Sequence, residues 1–251
     1  MVEFKVDKLA VKVFETSEQM GAAAAQDIAE RLDEVFEVKE YARMLFASAP
    51  SQNEMLQALR KKSISWDRVE LFHMDEYIGL PPNATQSFVY YLKMNLLNKI
   101  WVRAANFMEF GIKDSDEEIA DYGRRYDQKP MDIACIGVGE NGHLAFNDPG
   151  SADFNDPITI KRVVLDEKCR QQQVNDGCFN KVEDVPKYAV TLTIPAIMRG
   201  EKLFCMVPGS RKRDAVYKML TGNISEVCPA SILRKHDSCI LYLDADSYKG
   251  M

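Results

Sequence analysis

The chain has 251 residues, 46% of them hydrophobic, which is enough to bury a sizeable core, and a single domain over 1–251 is the expectation at this length. Its formal net charge of −6, with acidic and basic side chains interspersed, provides no basic stripe of the kind that nucleic acid requires. No apolar run is long enough to span a bilayer, and the opening MVEFKVDK lacks the apolar core of a signal peptide.

In chain order, alternation and valines predict a strand at 9–14, followed by a helix over 18–35 with Ser17 as N-cap. A strand at 44–47, a polar turn and a helix over 52–62 come next. A third strand, 69–74, runs into Asp75-Glu76-Tyr77. Residues 88–100 read as helical and 106–110 as weakly extended. The helix predicted over 114–126 is acidic at its start and basic at its end, as the macrodipole favours. The apolar run 133–136, between a proline and a glycine, suits a strand buried on both faces, although periodicity alone does not exclude a helix. Beyond it, strands are expected at 158–165, 188–192, 203–207 and 240–243. A helical turn or lid is expected at 166–174, and a helix over 211–220. Strands alternating with helices imply an α/β fold with a mainly parallel sheet covered on both faces.

The six cysteines, at 135, 169, 178, 205, 228 and 239, are scattered and form no Cys-x-x-Cys pair. Cys135, Cys205 and Cys239 sit in apolar runs and read as buried thiols. This pattern argues against a disulfide framework or a structural zinc site and fits a reducing cytoplasm.

The chemistry concentrates after the 133–136 strand. Gly137, Gly139 and Gly142 lead to His143, flanked by Asn141 and Asp148. Glycine permits positive φ and close ligand approach, so this segment reads as a binding loop at a strand's carboxyl end. The plainer reading is a solvated turn. Asp75 and Glu76 stand where the third strand ends. Neighbours on an extended segment point opposite ways, so one can enter a site while the other is anchored elsewhere. A carboxylate beside a sugar carbon can serve as a general base; equally, Asp75 would suit a helix cap or a surface ion pair. Ser48, Ser51 and Gln52 mark a strand-to-helix junction where N–H groups and hydroxyls suit phosphate, or where Ser51 merely caps a helix. Pro208-Gly209-Ser210 opens a second junction with three cations, and Lys212 is its candidate phosphate ligand. Arg170 lies in a polar run that reads as a lid over an anion or as a solvated helix face.

Three stretches carry a resemblance. They are Met74-Asp75-Glu76-Tyr77-Ile78-Gly79-Leu80, Gly137-Val138-Gly139-Glu140-Asn141-Gly142-His143 with Phe146-Asn147-Asp148-Pro149, and Val185-Pro186-Lys187-Tyr188-Ala189. In order, and over nearly the whole chain, they resemble the glucosamine-6-phosphate deaminase family. The resemblance implies a Rossmann-like fold shared with ribose-5-phosphate isomerase and 6-phosphogluconolactonase relatives. It also implies conversion of glucosamine 6-phosphate and water to fructose 6-phosphate and ammonia, with no metal and no other cofactor. By the same resemblance, Asp75 matches the general base between C2 and C1. His143 matches the residue that opens the pyranose ring at its oxygen. Arg170 and Lys212 match phosphate ligands, and Glu76 has a supporting role.

Three departures stand out. The family often has aspartate where Asn141 stands and glutamate where Asp148 stands. Asn141 can orient an imidazole by hydrogen bonding but supplies no charge. The family's usual Gly-Gly-Thr phosphate loop is replaced by Ala49-Pro50-Ser51, whose proline offers no N–H, so the cradle must be rebuilt around Ser48, Ser51 and Gln52. Basic residues used at an allosteric site in some members are replaced by Ile158 and Ile160. The expected partner is a small phosphorylated amino sugar, with neither nucleic acid nor membrane, and a homo-oligomer is left open. The alternatives are a related phosphosugar isomerase or lactonase, for instance on galactosamine 6-phosphate, and a non-catalytic sugar-phosphate sensor. A sensor of the regulator type should carry a helix-turn-helix, for which the chain has no spare length, and binding alone needs no base such as Asp75.

Overall fold

The computed structural model describes residues 1–81, 83–109, 115–248 and 250. Its strands are β1 (Val2–Val6), β2 (Leu9–Phe14), β3 (Ala42–Phe46), β4 (Val69–His73), β5 (Asp75–Tyr77) and β6 (Ala104–Asn106). They continue with β7 (Ile133–Ile136), β8 (Ile160–Val164), β9 (Tyr188–Leu192), β10 (Lys202–Val207) and β11 (Cys239–Asp244). Eight of them form one sheet in the order β1-β2-β11-β10-β7-β3-β4-β6, and within it only β1 and β2 pair antiparallel. The mainly parallel sheet expected from the sequence is therefore present. The small antiparallel sheet β5-β9-β8 was not anticipated.

The α-helices are α1 (Ser17–Val38), α2 (Asn53–Leu59), α3 (Phe88–Leu92), α4 (Asp116–Asp127), α5 (Glu167–Asn175), α6 (Ile194–Met198) and α7 (Arg213–Thr221). Side-chain alternation sorts them onto two faces. Along β10, Phe204 and Met206 join Met20, Ile28, Leu32 and Met55 of α1 and α2 in one apolar cluster. Leu203, Cys205 and Val207 join Tyr122, Ile197, Val216 and Met219 of α4, α6 and α7 in another. β7 divides in the same way, and all four of its residues are buried. Cys135, Cys205 and Cys239 are buried as expected; Cys169 and Cys228 are buried as well.

Several boundaries differ from the sequence reading for local reasons. Thr16, not Ser17, caps α1: its backbone is extended, and its hydroxyl accepts from the Gln19 N–H. The helix expected over 88–100 is α-helical only to Leu92 and then widens into a π turn, Lys93–Leu97. Of the 106–110 extension, Asn106 lies in β6 and Phe110 lies outside the described residues, as does Asp114. α4 begins at a capping box in which Ser115 and Glu118 exchange side-chain to backbone bonds. Its other end is satisfied by Arg43, a buried arginine of β3. Arg43 donates to the carbonyls of Arg125, Tyr126 and Lys129, pairs with Glu70 and lies over the Phe72 ring. Among the described residues, no helix is long and apolar enough to cross a membrane.

α1 and α2 meet at Gly21, where an added Cβ would lie 2.6 Å from the Glu54 carbonyl carbon and 2.7 Å from Met55 N. Alanine gains about 1 kcal/mol of helix propensity over glycine. Overpacking against backbone, which cannot rotate away, costs about 1–3 kcal/mol. Gly21→Ala should therefore lower the thermal midpoint, by about 2–4 °C per kcal/mol of net loss in a chain of this size. A midpoint that stays level or rises would show that the two helices separate freely.

Candidate active site

In the large sheet the connections run outward in opposite directions from the gap between β3 and β7: β3 leads to β4, and β7 leads to β10 and β11. Ligands in open α/β sheets bind at the strands' carboxyl ends beside such a reversal. A cavity of about 450 Å³ lies here, lined by the segments that follow β3, β4, β7, β10 and β11, with α5 on a further side.

Asp75 follows β4 and its carboxylate lines this cavity. It is buried and has no protein hydrogen-bond partner among the described residues. Burial, reinforced by the charge of Glu76, pushes its pKa well above the usual aspartate range. Glu76 points the other way, as alternation along β5 requires. Its carboxylate accepts the backbone N–H groups of Tyr77, Phe88 and Val89, two of them in the first turn of α3. Burial raises its pKa to about 7 against the lowering effect of those three donors. Glu76 thus anchors α3 and does not line the cavity.

His143 lines the cavity with its ring laid flat against Gly139. A Cβ at position 139 would fall 2.2–2.4 Å from the imidazole atoms, so only glycine admits this ring position. Nδ1 is 2.9 Å from Asp148 Oδ1. Asn141 ties this pair to the loop: its Nδ2 donates to the same Asp148 oxygen, and its Oδ1 accepts from the His143 backbone N–H, each at 3.0 Å. Asn141 thus orients the carboxylate and the loop, not the imidazole that the sequence reading assigned to it. Burial pushes the Asp148 carboxyl up, but the bond and charge of His143 and the Asn141 amide outweigh it and hold its pKa below the ordinary value. Cys169 of α5 completes a buried cluster in which His143, Asp148 and the thiol offer donor atoms all within 4.8 Å of one another.

At the other end, Ser48 and Ser51 line the cavity, and the Ser48 hydroxyl is buried without a partner among the described residues. The Tyr91 hydroxyl of α3 donates to the Ala49 carbonyl and holds this loop from behind. Gln52 lies beneath the surface. Its amide N–H₂ contacts Ser51 Oγ and the Ile136 carbonyl, so it braces the cradle without lining it. Gly137 lines the cavity with the Gln52 amide and the Ser51 hydroxyl packed against it. Lys212 is buried at the cavity wall with no carboxylate in salt-bridge range among the described residues, and burial lowers its pKa.

Arg170 is placed differently from the expectation. It does not line the cavity; its guanidinium donates to the carbonyls of Val182 and Val185 within the lid segment. Gln172 and Gln173 of the same polar run reach the cavity instead, together with Arg211 of the three-cation junction and Asp176; none of the four stands out as a ligand from sequence. Arg211 bridges Glu140 of the glycine loop and Asp176 at the end of α5. The three-cation run after Gly209 was the one signal that could have exposed this clasp.

A buried carboxylate, a carboxylate-backed histidine and a buried ammonium line one cleft of an α/β fold, groups whose chemistry suits proton exchange and pairing with an anion. The chain belongs to the family of glucosamine-6-phosphate isomerases and 6-phosphogluconolactonases, which matches residues 15–242. A glucosamine-6-phosphate deaminase of Bacillus thuringiensis (strain Al Hakam) is 32% identical over 237 residues, covering 94% of this chain and 87% of that protein. The structure of a monomeric glucosamine-6-phosphate deaminase superposes with a TM-score of 0.84 at 27% identity, covering 94% of this chain and 98% of that one. A 6-phosphogluconolactonase from Thermotoga maritima, 17% identical, shares the fold with a TM-score of 0.75 over 94% of this chain and 100% of its own.

Because the imidazole rests on the backbone at Gly139, Gly139→Ala should expel the ring while circular dichroism stays native. Misplacing a reacting group by about 1 Å can cost about 100-fold in rate, and a loss of that order in turnover is expected. Imidazole resonances unchanged from wild type would refute the contact.

Proposed function

We propose that this chain is an amino-sugar phosphate isomerase/deaminase that takes glucosamine 6-phosphate and water to fructose 6-phosphate and ammonia. The observation that carries the reading is the shared cavity: unpartnered Asp75 and Asp148-backed His143 line the same space as Lys212 and Ser48, whose polar ends lack protein partners among the described residues. Lys212, with the Ser48 and Ser51 hydroxyls, holds the phosphate. With Nδ1 facing Asp148, Nε2 of His143 is left to exchange a proton with the ring oxygen, and Asp148 steadies the imidazolium. Asp75 then carries the proton between C2 and C1 of the opened sugar. Water takes the place of the C2 nitrogen, which leaves as ammonia. The relatives' activity and the family membership support this assignment. Lactone hydrolysis transfers no proton between carbons and gives Asp75 no task. The six free thiols, five of them buried, support a reducing cytoplasm as its compartment.

The direct test is ammonia release from glucosamine 6-phosphate, galactosamine 6-phosphate and unphosphorylated glucosamine, beside hydrolysis of 6-phosphogluconolactone. Ammonia from the phosphorylated amino sugars is expected. Lactone hydrolysis without any ammonia would overturn the reading.

Asp75→Asn keeps shape but loses the basic lone pair, so kcat should fall by about 100- to 10,000-fold with substrate binding nearly intact. A general base works ionised, and burial raises the pKa of Asp75. Activity should therefore be lost, as pH falls, well above the value of about 4 usual for aspartate. A variant keeping half the wild-type kcat would remove Asp75 from the role.

Lys212→Ala should raise KM for phosphorylated substrate by about 10- to 100-fold, the worth of one charge-assisted bond, because that contact exists before and during reaction. The unphosphorylated amino sugar should be far less affected. Equal proportional losses on both would refute the phosphate assignment.

A further inference from the structure

We infer that His143, Asp148 and Cys169 form a binding site for a thiophilic divalent cation of the zinc class, whose occupancy switches the histidine off. The three residues come from the glycine loop, the turn after it and helix α5, and each is buried, with exposures of 8%, 2% and 1%. Their donor atoms all lie within 4.8 Å of one another. A tetrahedral zinc with bonds of about 2.0–2.3 Å to nitrogen, oxygen and sulfur spaces its ligand atoms about 3.3–3.7 Å apart. Shifts of under about 1 Å by the side chains close the set to that geometry.

A second observation points to a ligand. Asp148 Oδ2 is buried and makes no hydrogen bond of ordinary geometry among the described residues, so one oxygen of the carboxylate inside the cluster is under-satisfied. The histidine opens onto the main cavity, which supplies the entry path. One imidazole, one carboxylate and one thiol favour zinc, cobalt(II) or cadmium over magnesium or calcium, which prefer all-oxygen sites.

Coordination displaces the thiol proton to solvent, while the single ring proton moves from the nitrogen facing Asp148 to Nε2. The lone pair that would accept a proton in the cavity is then gone. The ion also ties α5 to the glycine loop. This consequence for turnover rests on the amino-sugar reading above; the binding itself does not.

The test uses the whole chain stripped with chelator and titrated with Zn²⁺ alone by calorimetry. One ion per chain is expected, with Kd rising at least about 100-fold in Cys169→Ala, the upper end of what loss of even a supporting residue costs a metal site. Co²⁺ should give the near-ultraviolet charge-transfer absorption of a cobalt–thiolate bond in wild type and in Cys178→Ala, and lose it in Cys169→Ala. If Cys169→Ala does not fold, the Co²⁺ spectrum of wild type decides alone. Absence of that band, absence of Zn²⁺ binding, or an affinity unmoved by Cys169→Ala overturns the inference. Neither readout needs turnover, so failure of the site and failure of the amino-sugar reading are distinguishable. Where turnover is measured, Zn²⁺ should inhibit wild type reversibly, and the Zn²⁺ concentration needed to inhibit Cys169→Ala, relative to its own metal-free rate, should be far higher.

Discussion

Parallel pairing of β7 with β3 on one side and β10 on the other, with Ile133 opposite both Met44 and Lys202, brings three strands to the same edge in near-identical register. Each strand then ends in a different kind of turn: serines after β3, glycines after β7, and Gly209 with its cations after β10. Because side chains alternate along a strand, slipping β7 by one residue would exchange its two buried faces and carry the glycine loop out of line. Both clusters of core side chains resist such a slip, so the packing that stabilises the sheet also sets the position of the chemistry.

The cavity is electrostatically unbalanced. Its lining carries Glu54, Asp75, Asp176, Asp244 and Asp246 against Arg211 and Lys212. Some of these charges have structural duties: Asp244 accepts from the Gly209 N–H, and Asp176 is held by Arg211. Lys212 and Asp75 have no such duty among the described residues. Burying charged or polar groups without partners costs stability, and the cost is repaid when a ligand supplies them. A ligand bearing a phosphate and an amine complements both charges.

Much of this was legible in the sequence, because buried parallel strands are continuous apolar runs and the glycines and carboxylates stand directly at their ends. Leu9–Phe14 and Tyr188–Leu192 could be placed from pattern, and Ile133–Ile136 from its apolar run together with the flanking proline and glycine. The second sheet could not, since β5 is three residues long and its partner β9 lies far along the chain. α6 was missed because five residues are too few to show a helical period. Arg170 shows the limit for side chains. A guanidinium in a lid segment fits an anion and a pair of carbonyls equally well, and only the local backbone at Val182 and Val185 decides. The role of Asn141 was similarly hidden, because spacing in sequence does not say which member of a histidine–carboxylate pair an amide will hold.

The order of the large sheet bears on how the protein is made. β2 pairs with β1 on one side and with β11, the last strand, on the other. During synthesis this hairpin emerges well before β11, and its inner edge has no neighbour until that strand has left the ribosome. Its unpaired N–H and C=O groups are exposed throughout that interval to any other extended segment nearby. Joining strands so distant in the chain also makes closure of the sheet slow, because loop entropy must be overcome before those contacts form. Capture of the hairpin by β11 closes that edge to chaperones and to its own copies.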